Sequence, residues 1–215
     1  MKKLTSLLLL LLSISILSFS QETSKPINRA YLQFGTGGCS HSGSSGYIGM
    51  QLLFKNNWVT SFSYQGVDMD PKNIPADYQP PKSTIIFIPF EDNPRVSNNL
   101  FSLTGGKYFK TGRNTWFSTE AGLSIMNGEE ITFTRNPGAG SGWTIIILGE
   151  EPSNYNTTVV RKNSFGGVAK ADFNWAFASF AGLGAGVFTN INSIQSVVGL
   201  EVKLSVGWMN HKKHS

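Results

Sequence analysis

Residues 199–208, close to the C-terminus, alternate without a break between apolar side chains and polar or small ones. Successive side chains of a β-strand point to opposite faces, so this alternation predicts a strand with one wholly apolar face. That face consists of Leu200, Val202, Leu204, Val206 and Trp208. A half-buried strand of a soluble protein can show the same pattern, and the rest of the chain must therefore distinguish a water-facing from a lipid-facing sheet.

The N-terminus predicts export. Met1-Lys2-Lys3 is a short positive start, residues 7–17 are almost entirely apolar, and Ser18 and Ser20 supply small side chains at the two positions that a signal peptidase reads. This order is typical of a secretory signal peptide, and its apolar run is short for a membrane-spanning helix. We therefore expect residues 1–20 to be a signal peptide and residues 21–215 to form one mature domain.

Composition excludes several classes of protein. The single cysteine, Cys39, rules out a disulfide framework and cysteine-rich metal sites. The formal net charge of +5 falls to about +3 when Lys2 and Lys3 leave with the signal peptide, and the tail His211–His214 carries part of the remainder. We therefore expect no nucleic-acid partner, and no cofactor. The 23 glycines and 12% aromatic residues are typical of an all-β chain with tight turns.

Eight stretches have the alternation of a strand. They lie at residues 30–36, 47–55, 58–67, 100–110, 115–126, 167–175, 180–188 and 198–208. Most approach the ~9–11 residues that span a bilayer as a tilted strand. Connections are very short after the second, fourth and sixth strands and very long after the third and fifth. This asymmetry predicts an all-β fold, an eight-stranded antiparallel up-and-down transmembrane β-barrel with long outer loops.

The alternation also assigns side chains to the two faces of the predicted barrel. With both chain ends in the periplasm, four tryptophans fall at the periplasmic rim as an aromatic girdle, although the pattern turns the second of them inward: Trp58, Trp116, Trp175 and Trp208. We expect a polar network to fill the lumen: Gln51, Lys55, Glu120, Lys170, Asp172, Glu201 and Lys203. Leu200, Val202, Leu204 and Val206 should face lipid. The faces of strand 100–110 stay open, because Gly105-Gly106 would shift them if it formed a bulge.

The two long connections contain β-prone segments at Ile85–Ile88, Ile131–Thr134 and Thr144–Leu148. We therefore expect strands three to six to continue past the outer rim as a protruding sheet, whose edges offer hydrogen-bonding groups to a partner's strand. The apolar run Ile145, Ile146, Ile147 and Leu148 is the candidate interaction loop, since it is costly to leave in water. The expected partners of this monomer are outer-membrane lipid and an extracellular protein.

A catalytic alternative involves the outer loops. His41, between Ser40 and Ser42 in the first polar loop, and Asp68 and Asp70 in the second are the residue types of a lipid-modifying barrel enzyme. A wet Gly/Ser loop has the same composition, and we expect no catalytic residue and no metal site. The remaining alternative is a soluble secreted β-barrel that binds a small ligand.

Taken together, the chain resembles the small eight-stranded outer-membrane barrels of Gram-negative bacteria, the OmpA/OmpX-like group, over roughly residues 28–209. The resemblance rests on the signal peptide, the two-residue repeats, the loop asymmetry and a last strand that ends in the aromatic Trp208. It implies a bacterial outer-membrane location and a structural, adhesive or protective role at the cell surface without catalysis.

Overall fold

The computed structural model describes residues 27–80, 82–85, 88–91, 93–136, 150–151 and 153–209. The predicted signal peptide, the apolar run Ile145–Leu148 and the tail after Met209 lie outside the described residues.

The described residues form eleven β-strands. In chain order they are β1 (Ile27–Cys39), β2 (Gly43–Phe54), β3 (Trp58–Met69), β4 (Lys82–Ile85), β5 (Ile88–Glu91), β6 (Val96–Lys110), β7 (Thr115–Arg135), β8 (Glu150–Glu151), β9 (Tyr155–Ala176), β10 (Ala181–Asn192) and β11 (Val197–Trp208).

Eight of these strands close into a barrel in the order β1-β11-β10-β9-β7-β6-β3-β2, and β5, β4 and β8 form a separate small sheet. Every neighbouring pair in the barrel is antiparallel, and β1 closes the ring by pairing with β11. A closed barrel leaves no unpaired strand edge in its wall. The predicted eight-stranded antiparallel barrel is confirmed.

Strand β6 resolves the face assignment that the sequence left open. Its register with β3 and β7 runs without a shift through Gly105 and Gly106, so no bulge forms there. A Cβ atom on Gly106 would lie 1.9 Å from the carbonyl oxygen of Thr119, so glycine lets β6 and β7 approach closely at this point. Leu100, Ser102, Thr104 and Tyr108 therefore point inward and are buried.

The two ends of the barrel differ. At one end, here called the turn end, residues 55–57, 111–114 and 177–180 connect the strands. At the other, the hairpin end, residues 40–42 form a tight turn in place of the polar loop expected at residues 37–46, because β1 and β2 stay paired up to Cys39 and Gly43. His41 and Ser42 have φ angles of 60° and 50°, the left-handed values that a tight hairpin turn requires.

Among the described residues, β7 and β9 are the barrel strands that continue beyond the hairpin end. Their pairing reaches Arg135 and Tyr155, whereas the pairing of β6 on β7 stops at Gly128 and that of β10 on β9 stops at Gly166. The expectation that strands three to six all continue was therefore too broad. Strand β3 ends at Met69 and is followed by prolines at positions 71, 75 and 80. Proline has no backbone N–H to donate to a β-ladder, so the strand does not continue through this segment.

The outer wall of the barrel is apolar, and its interior is largely polar. Large apolar side chains are exposed on the outer wall of every barrel strand, whereas the inward positions are largely polar. On β11 the outward side chains are Leu200, Val202, Leu204 and Val206. In water this arrangement would be unfavourable, because it exposes apolar area and buries polar groups. Within the described ranges, no helix has the length and apolarity needed to cross a membrane.

Candidate functional site

A buried polar layer crosses the middle of the lumen. Glu120, on β7, accepts hydrogen bonds from the Gln51 amide, the Ser61 hydroxyl and Thr104 Oγ1, the last at 2.6 Å. These partners come from β2, β3 and β6, so one carboxylate joins four strands. Three donors satisfy its oxygens, which a buried carboxylate needs if it is to stay charged away from water.

The basic side chains of the layer lie opposite, on β9 and β11. Lys203 Nζ is 2.8 Å from Asp172 Oδ1 and 3.3 Å from Glu201 Oε2. Lys170 Nζ donates to Ser63 Oγ at 2.6 Å. The Tyr47 ring faces both lysines, with its centroid 5.0 Å from Lys170 Nζ and 4.5 Å from Lys203 Nζ.

The structure brings six of the seven sequence-predicted network residues into this layer: Gln51, Glu120, Lys170, Asp172, Glu201 and Lys203. Lys55 is the exception, since β2 ends at Phe54 and Lys55 lies exposed in the following turn. Arg29 was missed, because the predicted first strand began one residue later. The Arg29 side chain is buried and lies on the same side of β1 as the inward Tyr31. Extending the alternation by two residues from Tyr31 would therefore have predicted that Arg29 points inward.

Apolar layers close the lumen on both sides of the polar one. At the hairpin end the cluster is Val67, Met69, Val96, Leu100, Met126, Ile131, Phe188 and Val197. At the turn end it is Tyr31, Leu53, Val59, Tyr108, Trp116, Ala176 and Met209. The interior is therefore filled by side chains, as expected for a barrel of eight strands.

The tryptophans separate into two groups. Trp58, Trp175 and Trp208 are 49%, 48% and 47% exposed and lie on the outside at the turn end. Trp116 is 1% exposed and points inward, so it cannot belong to an outward girdle. It follows Thr115 at the start of β7 and shares the parity of Glu120. Its ring lies under the Arg29 guanidinium, with Cζ 4.0 Å from the centroid.

The outer hairpin, formed by residues 129–135 of β7 and 155–161 of β9, is supported by the connection that follows β3. Tyr78 in that connection packs edge-on against Phe133, with centroids 5.3 Å apart, and lies 6.3 Å from the Tyr155 ring. Phe133 and Tyr155 also meet edge to face at 6.4 Å. Such aromatic contacts contribute beyond their buried area.

Polar contacts strengthen the same junction. The Tyr155 hydroxyl donates to Asp77 Oδ1 at 2.7 Å, and this hydrogen bond raises the pKa of the phenol. Asn154 Nδ2 donates to the Asp77 carbonyl at 2.6 Å, and Ser153 Oγ donates to the Gln79 carbonyl at 2.8 Å. Residues 77–79 therefore contact residues 153–155, where the chain enters β9.

Both edges of the hairpin lack a further described strand. Residues 155–165 of β9 pair with β7 alone, and residues 129–135 of β7 pair with β9 alone, so the free edge is longer on β9. The consecutive β-branched residues Thr157–Val160 are exposed. Arg161 and Lys162, the charges of this edge, form ion pairs with Glu129 (3.4 Å) and Glu130 on the same hairpin. The charges on this edge are thus paired within the hairpin, and they do little to prevent the addition of a second strand.

The catalytic candidates do not come together. The exposed His41 touches Asp70 only through its backbone carbonyl, Asp68 faces Arg95 at 3.7 Å, and Ser40 Oγ accepts from the Val198 amide. In the part of the chain that is described, no contact joins the His41 imidazole to a carboxylate or hydroxyl, and no three His, Cys, Asp or Glu side chains are grouped as for a metal ion.

Comparison with known proteins gives structural likeness only. No protein-family model and no curated protein sequence matches the chain. The N-terminal β-barrel domain of OprF from Pseudomonas aeruginosa is similar at a TM-score of 0.50 and 11% identity, over 84% of this chain and 98% of that one. Neisserial surface protein A follows at 0.48 and 12%, over 87% and 100%. Ail, the attachment invasion locus protein of Yersinia pestis, gives 0.46 and 8%, over 84% and 97%.

The OprF domain is a small eight-stranded outer-membrane barrel of the OmpA/OmpX-like type, and the fold that the sequence resemblance implied is therefore confirmed. At such low identities the likeness concerns the fold and assigns no activity.

The polar layer predicts a stability effect that depends on burial. Lys203→Met leaves Asp172 and Glu201 without their cation, and we expect a loss of ~3–5 kcal/mol in the free energy of unfolding. Arg161→Met, which breaks an exposed ion pair on the outer hairpin, should cost less than ~1 kcal/mol. Urea titration of the folded barrel, followed by tryptophan fluorescence, measures both. Equal effects would contradict the network's role.

The aromatic junction predicts a local effect. Phe133→Ala removes the ring between Tyr78 and Tyr155, so residues 71–80 should be cleaved faster by added protease. Because Phe133 is only partly buried against the hairpin-end cluster, the urea midpoint of the barrel should fall much less than in Lys203→Met. Phe101→Ala, on the outer wall of β6, is the matched control and should leave cleavage of this segment unaltered. Unaltered cleavage in Phe133→Ala would show that the junction does not hold this segment.

Proposed function

We propose that this protein is a non-enzymatic integral barrel of the bacterial outer membrane that binds a partner at the cell surface through its outer hairpin. The observation that carries the proposal is the unpaired edge of β9 at residues 155–165, which stands beyond the closed wall. An extended segment of an extracellular protein would add to this edge as a strand, with main-chain hydrogen bonds as the source of affinity.

The apolar outer wall supports the membrane location. On β9 the outward apolar side chains run from Trp175 up to Phe165, a stretch of eleven residues. In a strand tilted by about 40°, the ten steps between them span ~25 Å, the height of the apolar band of such barrels. The exposed Trp58, Trp175 and Trp208 at the lower limit fit the membrane interface. The turn end then faces the periplasm, and the predicted signal peptide supplies export.

The filled lumen supports a binding role over transport. Two apolar layers enclose the polar one, so a solute would have to displace packed side chains at both ends. A soluble ligand-binding barrel has the reverse arrangement, with a polar outside and an open inside. The His41 imidazole makes no described contact with the carboxylate of Asp68 or Asp70, so the described residues offer the lipid-modifying alternative no assembled catalytic group.

The lipid-facing assignment can be tested on β11. Leu204 points outward and Ser205 inward. In a bilayer, Leu204→Arg should cost ~2–4 kcal/mol of barrel stability, whereas Ser205→Arg should fail by overcrowding the lumen and adding unbalanced charge. Urea unfolding in phospholipid vesicles and in mild detergent separates the two causes, since only the Leu204 effect depends on the bilayer. Equal tolerance of arginine at both positions would refute the assignment.

The hairpin can be removed without touching the wall. Replacing residues 132–160 by a tight turn should leave folding and membrane insertion intact, as judged by heat-modifiable gel migration, while abolishing adhesion of expressing cells to host cells or matrix. Failure of the shortened protein to fold would make the hairpin structural and remove the main support for the proposal.

The edge itself can be tested more narrowly. Val159→Lys combined with Thr157→Lys adds charge to the open edge, which is how natural proteins prevent strand addition. We expect adhesion to fall at least tenfold. Thr132→Lys with Thr134→Lys, on the shorter free edge of the companion strand β7, adds the same charge and should have the smaller effect. Equal loss in the two variants would indicate an electrostatic role of the whole hairpin instead.

A further inference from the structure

Charged side chains that reach the surface are sorted between the two ends of the barrel. Where side chains are described, the acidic ones lie either inside the barrel (Glu120, Asp172 and Glu201) or at the hairpin end (Asp68, Asp70, Asp77, Glu129 and Glu130). The turn end carries exposed basic residues: Lys55, Lys107, Lys110 and Arg113. One rim of the barrel is thus cationic and, in the described residues, has no exposed carboxylate.

Three of these cations occupy one sector of the rim. Lys55 lies in the turn between β2 and β3, and Lys107 and Lys110 lie at the end of β6, the neighbour of β3. Lys107 stands opposite Trp58 in the β3–β6 register, with Nζ 4.1 Å from the indole centroid, and the Tyr108 amide donates to the Asn57 carbonyl at 2.9 Å. We call Lys55, Lys107 and Lys110 the lysine sector.

The opposite sector of the same rim is uncharged. The turn between β9 and β10 consists of Phe177, Ala178, Ser179 and Phe180, and the Phe177 ring contacts Trp175 edge to face at 5.8 Å. Trp58 and Trp175 both lie on the outside at the turn end and are about equally exposed, in two different electrostatic surroundings.

The position of Lys107 defines the kind of ligand. It lies on the outward face of β6, in line with the exposed Leu103 and Phe109, so an anion bound there sits against the apolar wall and not in the periplasm. An indole at the interface lies at headgroup level, and a lysine stacked on it places its ammonium among the lipid phosphates. A ligand with a phosphate and two hydrocarbon chains fits both features.

We propose that the lysine sector binds the headgroup of an anionic phospholipid of the phosphatidylglycerol class in the periplasmic leaflet. The proposal rests on the membrane location proposed above. Attraction of each lysine to an anionic lipid surface corresponds to about a fivefold preference and weakens with salt. Among the described residues of the turn end, no exposed carboxylate competes with the lipid for these lysines.

Two reporter proteins test it. One keeps Trp58, with Trp143, Trp175 and Trp208 changed to Phe; the other keeps Trp175, with Trp58, Trp143 and Trp208 changed to Phe. Both retain Trp116, which the barrel shields from lipid. Each is folded into phosphatidylcholine vesicles that contain a minor fraction of dibrominated phosphatidylglycerol or the same fraction of dibrominated phosphatidylcholine, and quenching gives the relative association of the two lipids.

We expect Trp58 to favour phosphatidylglycerol by about fivefold or more at low salt, and Trp175 to show no preference. Lys55→Gln/Lys107→Gln/Lys110→Gln should remove the preference at Trp58. Lys72→Gln/Arg95→Gln/Arg135→Gln, an equal loss of charge at the hairpin end, should retain it.

Equal preference at the two tryptophans, or a preference that survives the triple lysine substitution, would overturn the lipid site while leaving the membrane proposal intact. If neither reporter is quenched by brominated phosphatidylcholine, the barrel has not entered the bilayer. That result would overturn the proposed function together with this site.

Discussion

Charge balance inside the barrel is the constraint on which the rest of the structure depends. Three carboxylates and three basic side chains are enclosed in a cylinder whose outer wall is apolar, and the charges balance only when Arg29 is counted with Lys170 and Lys203. In the low-dielectric interior, an unmatched charge would cost more than most packing contacts contribute. Lys203 with Asp172 joins β11 to β9, and Glu120 joins β7 to β2, β3 and β6. The network therefore connects strands on both sides of the lumen.

Much of this arrangement follows from the two-residue period of the sequence. In β9 and β11 the alternation is unbroken, and both faces are predicted correctly, including the inward Lys170, Asp172, Glu201 and Lys203. The prediction fails where the alternation stops. In the sequence, Lys55 falls on the same side of the alternation as the inward Gln51. Strand β2 ends at Phe54, however, and Lys55 lies in the turn, where the alternation no longer directs a side chain into the barrel.

Other features depend on partners that a single sequence does not reveal. The polar stretch around His41 has the composition of a loop, yet pairing with β11 and β2 extends the strands to Cys39 and Gly43. Trp116 has a side chain typical of a membrane interface, but its position in the alternation of β7 is an inward-facing one. The alternation determines where it lies, and inside the barrel Arg29, Tyr31 and Tyr108 enclose it. The outward continuation of β7 and β9 was anticipated from β-prone residues, but the prolines after β3 restrict it to one hairpin.

The length of β9 has a mechanical consequence. The same strand that offers its free edge at Tyr155–Phe165 continues as a wall strand to Ala176, paired with β7 along every residue from Thr115 to Arg135. A pull on a strand bound to the free edge, directed away from the cell, would load that ladder along its length. Its hydrogen bonds would then share the force in shear instead of opening one after another. A surface protein that anchors a cell in flowing liquid would withstand tension best in this geometry.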